Sequence, residues 1–209
     1  MSTRVMATIT DTGFRTIKDI GQRMLSTMTS AASEDPTFVL EERKIQVDDV
    51  AINFVRVGTG DYPVLLLPEA LGTIWTSFKS QIENLNKEKF TIVAWEPPGY
   101  GKSRPPDRTF LTNYFHRDAT WAYGLMKTLG YSNFSLCGID DGGIMALFLA
   151  AKYPEDIRKM IDLGARSYIH PDEMKKHERA RDTFVHSEKA TACSMQIPDL
   201  NYLRQTWSE

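Results

Sequence analysis

Cysteine is scarce. Only Cys137 and Cys193 occur in the 209 residues, too few to staple a fold with a disulfide framework. Cys137 lies in an apolar run and reads as a buried free thiol. Net charge is small as well, −2, so no basic face marks a nucleic-acid or anionic membrane partner. No apolar run approaches the roughly 20 residues that cross a bilayer. Internal repeats and low-complexity tracts are absent. What remains is 42% hydrophobic content, ample for one core, and the expectation is a soluble, intracellular domain with no nucleic-acid or membrane partner.

The chain divides into three parts. Residues 1–36 form a Ser- and Thr-containing leader in which Arg4, Arg15, Lys18 and Arg23 outnumber Asp11 and Asp19. Ile17, Ile20, Met24 and Met28 fall at helical spacing within it. Such a segment is either a mitochondrial presequence or a disordered leader, leaving localisation open between mitochondrial and cytoplasmic. Residues 37–168 carry the core pattern, and residues 169–209 are charged and helical in period, the start of a helical lid region.

Within the core, "RKIQV" and "AINFVRV" alternate about the Asp48-Asp49 turn and predict a hairpin. "YPVLLLP" is a continuous apolar run of the kind buried on both faces. "TSFKSQIENLNKE" predicts an amphipathic helix, "FTIVAW" a strand, and "TNYFHRDATWAYGLMKTLG" a helix closed by Gly130. The strand "FSLCG", the helix "GGIMALFLAAKYP" and the strand "IRKMIDLGA" follow. Alternating strands and helices predict an α/β fold, a mostly parallel sheet with helices on both faces.

One stretch points to chemistry. In "FSLCGIDDGGIMALFLAAKYP" (134–154) a buried strand turns sharply into a glycine-started helix, which mounts a side chain at the strand tip against a helix N-terminus. The tip residue is Asp140.

"VLLLPEALG", "AWEPPGYGKSRPPDR", "LCGIDDGGIMAL" and "AAKYPEDIRKM" together resemble the α/β-hydrolase superfamily, and within it the valacyclovir-type amino acid ester hydrolases. The resemblance runs from about residue 42 to about 170. It implies an α/β-hydrolase fold, a Ser–Asp–His triad, no cofactor and no metal, and a mitochondrial setting. Carried over by position, Asp140 stands at the nucleophile position of G-x-S-x-G, and Asp141 matches an acid implied to hold a substrate ammonium group. The backbone N–H groups of Ala70 and Asp141 would form the oxyanion hole. Glu69 departs from the family, which has glycine there; its carboxylate opposes the charge of such a hole and is read here as a further substrate-binding group. The triad acid and histidine belong to loops after the seventh and eighth strands, beyond "LRQTWSE". The expectation is therefore a fold lacking its last two strands and completed lid, with "IRKMIDLGA" as an open edge that invites a protein partner.

Three readings stay open. The first is an ester hydrolase by ancestry whose turnover is impaired, a truncated pseudoenzyme, because Asp140 replaces serine and the triad acid and histidine are expected to be missing. The second is a non-catalytic binding protein that takes a small ester or amine in the acidic crevice, or a protein at the open edge. The third is an Asp-nucleophile hydrolase, like dehalogenases and epoxide hydrolases, completed in trans by a histidine. None of His116, His170, His177 and His186 stands at the required position, and a dyad of His170 with Asp172 on the strand rim is the weakest candidate.

Overall fold

The computed structural model describes residues 41–166 and Asp172. The leader over residues 1–36, Cys193, His170, His177, His186 and all of the lid region except Asp172 lie outside the described residues.

The predicted hairpin is formed by β1 (Arg43–Val47) and β2 (Val50–Val57), antiparallel, with Val47 facing Val50 across the turn. Asp48 takes φ 50° there, a left-handed turn conformation that Asp tolerates better than most residues. The chain continues through β3 (Tyr62–Leu67), α1 (Ile74–Asn84), β4 (Phe90–Trp95), α2 (Tyr114–Thr128), β5 (Phe134–Ile139), α3 (Asp141–Lys152) and β6 (Ile157–Leu163). The strands form one sheet in the order β1-β2-β4-β3-β5-β6; β4, β3, β5 and β6 are parallel to one another, while β1 and β2 are antiparallel to their neighbours.

Why the central strands β3 and β4 are almost continuously apolar is visible in the two cores. Successive residues of a strand point to opposite faces. Leu65, Leu67, Val93 and Trp95 pack with α2 and α3 on one face, whereas Leu66, Ile92 and Ala94 pack with Ile74, Phe78 and Ile82 of α1 on the other. Helices thus cover both faces. At the rim of this sheet Ile161 and Leu163 of β6 are 56% and 43% exposed.

Helix boundaries differ from the pattern. The periodicity predicts α1 from Thr76, but it begins at Ile74, because Thr73 and Thr76 form a capping box that closes the first turn early. It ends at Asn84, since Leu85 is already extended (ψ 145°). α2 starts at Tyr114 and α3 at Asp141, while Gly130, with φ 87°, ends the segment after α2 as expected.

From β3 the chain crosses to β4 on one side and then returns to β5 on the other. This reversal opens a crevice at the carboxyl ends of β3 and β5, where ligands of open α/β sheets bind. The β3–α1 loop and the turn from β5 into α3 both end there.

Candidate active site at the strand tips

The turn after β5 is sharp. Asp140 has φ 51° and ψ −112°, a region that side chains rarely occupy and that surrounding structure must hold in place. Its N–H donates to the Leu163 carbonyl of β6 at 2.9 Å, and its own carbonyl accepts from Gly143 and Ile144 at 2.9 and 3.1 Å. Two glycines make the turn possible. A Cβ at Gly138 would stand 2.3 Å from the Gly142 carbonyl oxygen, and one at Gly142 would stand 2.0 Å from that of Leu67. The same approach brings the first turn of α3 against the end of β3, so the elbow and the loop carrying Glu69 and Ala70 lie side by side.

That loop is a tight turn. Gly72 N–H donates to the Glu69 carbonyl at 2.8 Å, and Leu71 takes φ 57°, an outlier for a bulky residue. Ala70 and Asp141 are half-buried, with Asp141 at the first helical position, where backbone N–H groups have no intrahelical partner. Glu69 is half-buried too, and its Oε2 is buried with no hydrogen-bond partner.

Asp140 is not alone. Its Oδ1 lies 3.1 Å from Nη2 of Arg166, just past β6, and both side chains are a little over one-third exposed. Arginine remains protonated at any working pH and carries no acceptor. His116, on α2, has its ring 4.0 Å from that of Phe148, which lies about two helical turns along α3 from the elbow. Asp172 is exposed.

The charge of Asp141 acts on residues that motif reasoning does not single out. Burial pushes the Tyr100 hydroxyl up to about 12, and the neighbouring Asp141 carboxylate pushes the same way against Arg108. Tyr114 is raised by burial first and by Asp141 next. The Arg108 guanidinium lies over the rings of Tyr100, Phe110 and Tyr114 at 4.6, 5.2 and 5.4 Å. It pairs with Asp118 in a fully buried ion pair and donates to the Pro98 carbonyl at 3.2 Å.

A second carboxyl network braces the loops from behind. Glu96 is 2% exposed and its Oε2 accepts from Lys102 N–H at 2.6 Å and Asn53 Nδ2 at 2.9 Å. It also bonds to the Ile74 backbone at the start of α1, and burial outweighs these donors to raise its pKa. For Glu42, burial also pushes upward, but donors from Trp75, Asn53 and Lys102 win and hold it below its ordinary value. Tyr100 adds a hydrogen bond with the Leu71 backbone, so the Pro/Gly loop after β4 fixes the β3–α1 loop at two places.

Arg166 and Tyr100 are the site residues that sequence reasoning misses. A cation three residues beyond the end of a parallel strand is a usable signal for the first. For Tyr100 only its place in "PPGYGKS" offers a hint. Cys137 is a free thiol as predicted but only half-buried, short of the full burial expected, and desolvation raises its pKa to about 11. Among the described residues no group of three His, Cys, Asp or Glu side chains is placed to hold a metal, and no helix is long and apolar enough to cross a membrane.

Comparison with known proteins agrees with this architecture. The family model for the alpha/beta hydrolase fold matches residues 63–192. Serine hydrolase BPHL of Homo sapiens is 48% identical over 163 residues, and that of Mus musculus 45% over 163. Each alignment covers 78% of this chain and 56% of the relative, so the chain spans little more than half the length of either. The epoxide hydrolase VrEH1 of Vigna radiata superposes with a TM-score of 0.57 at 21% identity, over 72% of this chain and 46% of that one, a likeness of fold. With strand order, elbow and sequence in agreement, the chain belongs to the alpha/beta hydrolase family.

Proposed function

We propose that this protein is an amino acid ester hydrolase by descent that has lost efficient ester turnover and retains the ligand crevice. The observation that carries this reading is the Asp140 carboxylate at the nucleophile position, engaged by Arg166 at 3.1 Å. A serine alkoxide attacking an ester forms a new ester on the enzyme and expels the substrate's alkoxide, a leaving group of similar basicity. A carboxylate attacking the same carbonyl must form an anhydride while expelling an alkoxide, a far worse leaving group than itself, so the tetrahedral adduct reverts. Arg166 cannot serve as a base, and the unpartnered Glu69 carboxylate beside the oxyanion loop opposes the negative charge that such a hole stabilises. The crevice keeps one feature that suits an amine, the half-buried Asp141 carboxyl group at the start of α3. The test is hydrolysis of amino acid esters by the natural chain and by Asp140→Ala. Equal, background-level rates are expected; rapid turnover that the substitution abolishes sinks the reading.

One observation favours a second reading. The Asp140 carboxyl group stands at the strand tip with a little over one-third of its surface open to solvent, and a carboxylate is a competent nucleophile toward an sp³ carbon. Its oxygen would displace a halide, or open an epoxide, and form an alkyl ester on Asp140. Water hydrolyses that ester only with a base to accept its proton. Intact-mass analysis after incubation with an alkyl halide or epoxide decides the matter: a stoichiometric adduct mapped to Asp140 supports this reading, and an unmodified Asp140 removes it.

A further inference from the structure

We infer that the amino ends of the parallel strands form a second ligand site, for a small, multiply charged oxyanion such as an organic phosphate. The site is a cavity of about 460 Å³, open to solvent. It lies at the opposite end of the sheet from the elbow. Pro63 and Thr91, at the second positions of β3 and β4, Asn133 just before β5 and Arg158 near the start of β6 all line it.

The chemistry of the lining selects the ligand. Arg56 and Arg158 enter from opposite sides of the sheet, from β2 and from β6. Arg158 Nη1 donates to the Asp61 carbonyl at 3.1 Å, which holds the guanidinium over the cavity with its other donors available. No acidic side chain among the described residues forms an ion pair with either arginine. Arg56 also breaks a pattern. It follows Ile52 and Phe54 on one face of β2, both in the core, so the alternation calls for an apolar residue where the guanidinium stands. Asp61 is the single acid in the lining, against two arginines, while the whole chain carries −2. Hydroxyls of Thr59, Tyr131 and Ser132 add neutral donors. Two guanidinium forks with hydroxyl donors match the oxygens of a phosphate and offer little to an apolar molecule.

The frame is rigid. A Cβ on Gly58 or Gly60 would fall 2.1 or 2.0 Å from the backbone of Phe90 or Lys89, so the loop between β2 and β3 is pressed against the β4 approach. Thr59 N–H donates to the Lys87 carbonyl at 2.8 Å, and Thr91 Oγ1 to the Gly60 carbonyl at 2.7 Å. Asn133 Nδ2 donates to the Glu155 carbonyl at 3.0 Å, tying the opposite wall. The volume lies within the ~300–1,000 Å³ of small-molecule sites, enough for a phosphorylated metabolite larger than phosphate itself.

Calorimetric titration of the full chain with inorganic pyrophosphate tests the assignment, with potassium chloride at matched ionic strength as the blank. Saturable one-to-one binding is expected, weakened roughly tenfold or more in the Arg56→Gln/Arg158→Gln double variant. Arg43→Gln, at an exposed arginine of β1, and Asp140→Ser should bind as the natural chain does. Both substituted arginines are exposed, and far-UV circular dichroism checks that the fold is kept. Arg56→Lys and Arg158→Lys, which keep charge but lose the fork, should fall between. Absence of saturable heat, or equal affinity in the folded double variant, overturns the site.

Discussion

Replacing Gly142 by alanine perturbs the point on which the elbow depends. The added Cβ would stand 2.0 Å from the Leu67 carbonyl oxygen, 2.5 Å from its carbon and 2.7 Å from the Pro68 carbonyl oxygen. All three are backbone atoms of a strand end inside the sheet, so none can swing aside. Reaching even 3.0 Å requires the first turn of α3 to part from β3 by about 1 Å. Overpacking of this kind costs about 1–3 kcal/mol. The bonds from Gly143 and Ile144 to the Asp140 carbonyl lie in the displaced turn, and weakening both adds about 1–2 kcal/mol. Alanine's better helix propensity returns at most ~1 kcal/mol. The net loss is about 1–4 kcal/mol, which moves a urea midpoint down by roughly 0.5–2 M. Gly130→Ala is the comparison: φ is 87° but nothing lies within 4 Å, so backbone strain of about 1–2 kcal/mol acts alone. If Gly142→Ala costs no more than Gly130→Ala, the close approach of α3 and β3 is wrong.

Three further outcomes are expected. Asp118→Asn leaves the buried Arg108 uncompensated and should cost about 3–5 kcal/mol in urea unfolding; a loss under about 1 kcal/mol contradicts a fully desolvated pair. Thr73→Ala removes the α1 capping box and should cost about 1 kcal/mol by the same assay, with unchanged stability refuting it. The pKa of Glu96 is raised in the folded state, so the native protein holds a proton that the unfolded chain has released. Stability from Glu96 is therefore greatest below 4.5, its ordinary value, and declines as pH rises through the elevated folded pKa. Unfolding free energies from pH 4.5 upward should fall less steeply in Glu96→Gln than in the natural protein, and parallel curves would remove Glu96 as the source.

What could be read from the chain, and what could not, follows from how local each cause is. The hairpin, the apolar "VLLL" run and the elbow are set by neighbours in sequence: a two-residue turn, alternation, and glycines where a helix meets a strand. Each of the core strands and helices is therefore legible, though α1 starts two residues early because a Thr–Thr cap outranks apolar spacing. The site is legible only where the family resemblance speaks. Arg166 reaches Asp140 across 26 residues, and Glu96 meets Asn53 across 43. Such partners depend on strand order, which a linear pattern does not contain. The orphaned Glu69 oxygen is a matter of side-chain direction in a tight turn, equally invisible beforehand.

The most direct test concerns a strand-tip carboxylate held by a guanidinium in place of an activated hydroxyl. Release of alcohol from an amino acid ester, followed over many equivalents with purified natural protein and Asp140→Ala in parallel, measures it. The account predicts matching background rates from the two proteins. Multiple turnovers by the natural protein that vanish in Asp140→Ala contradict it.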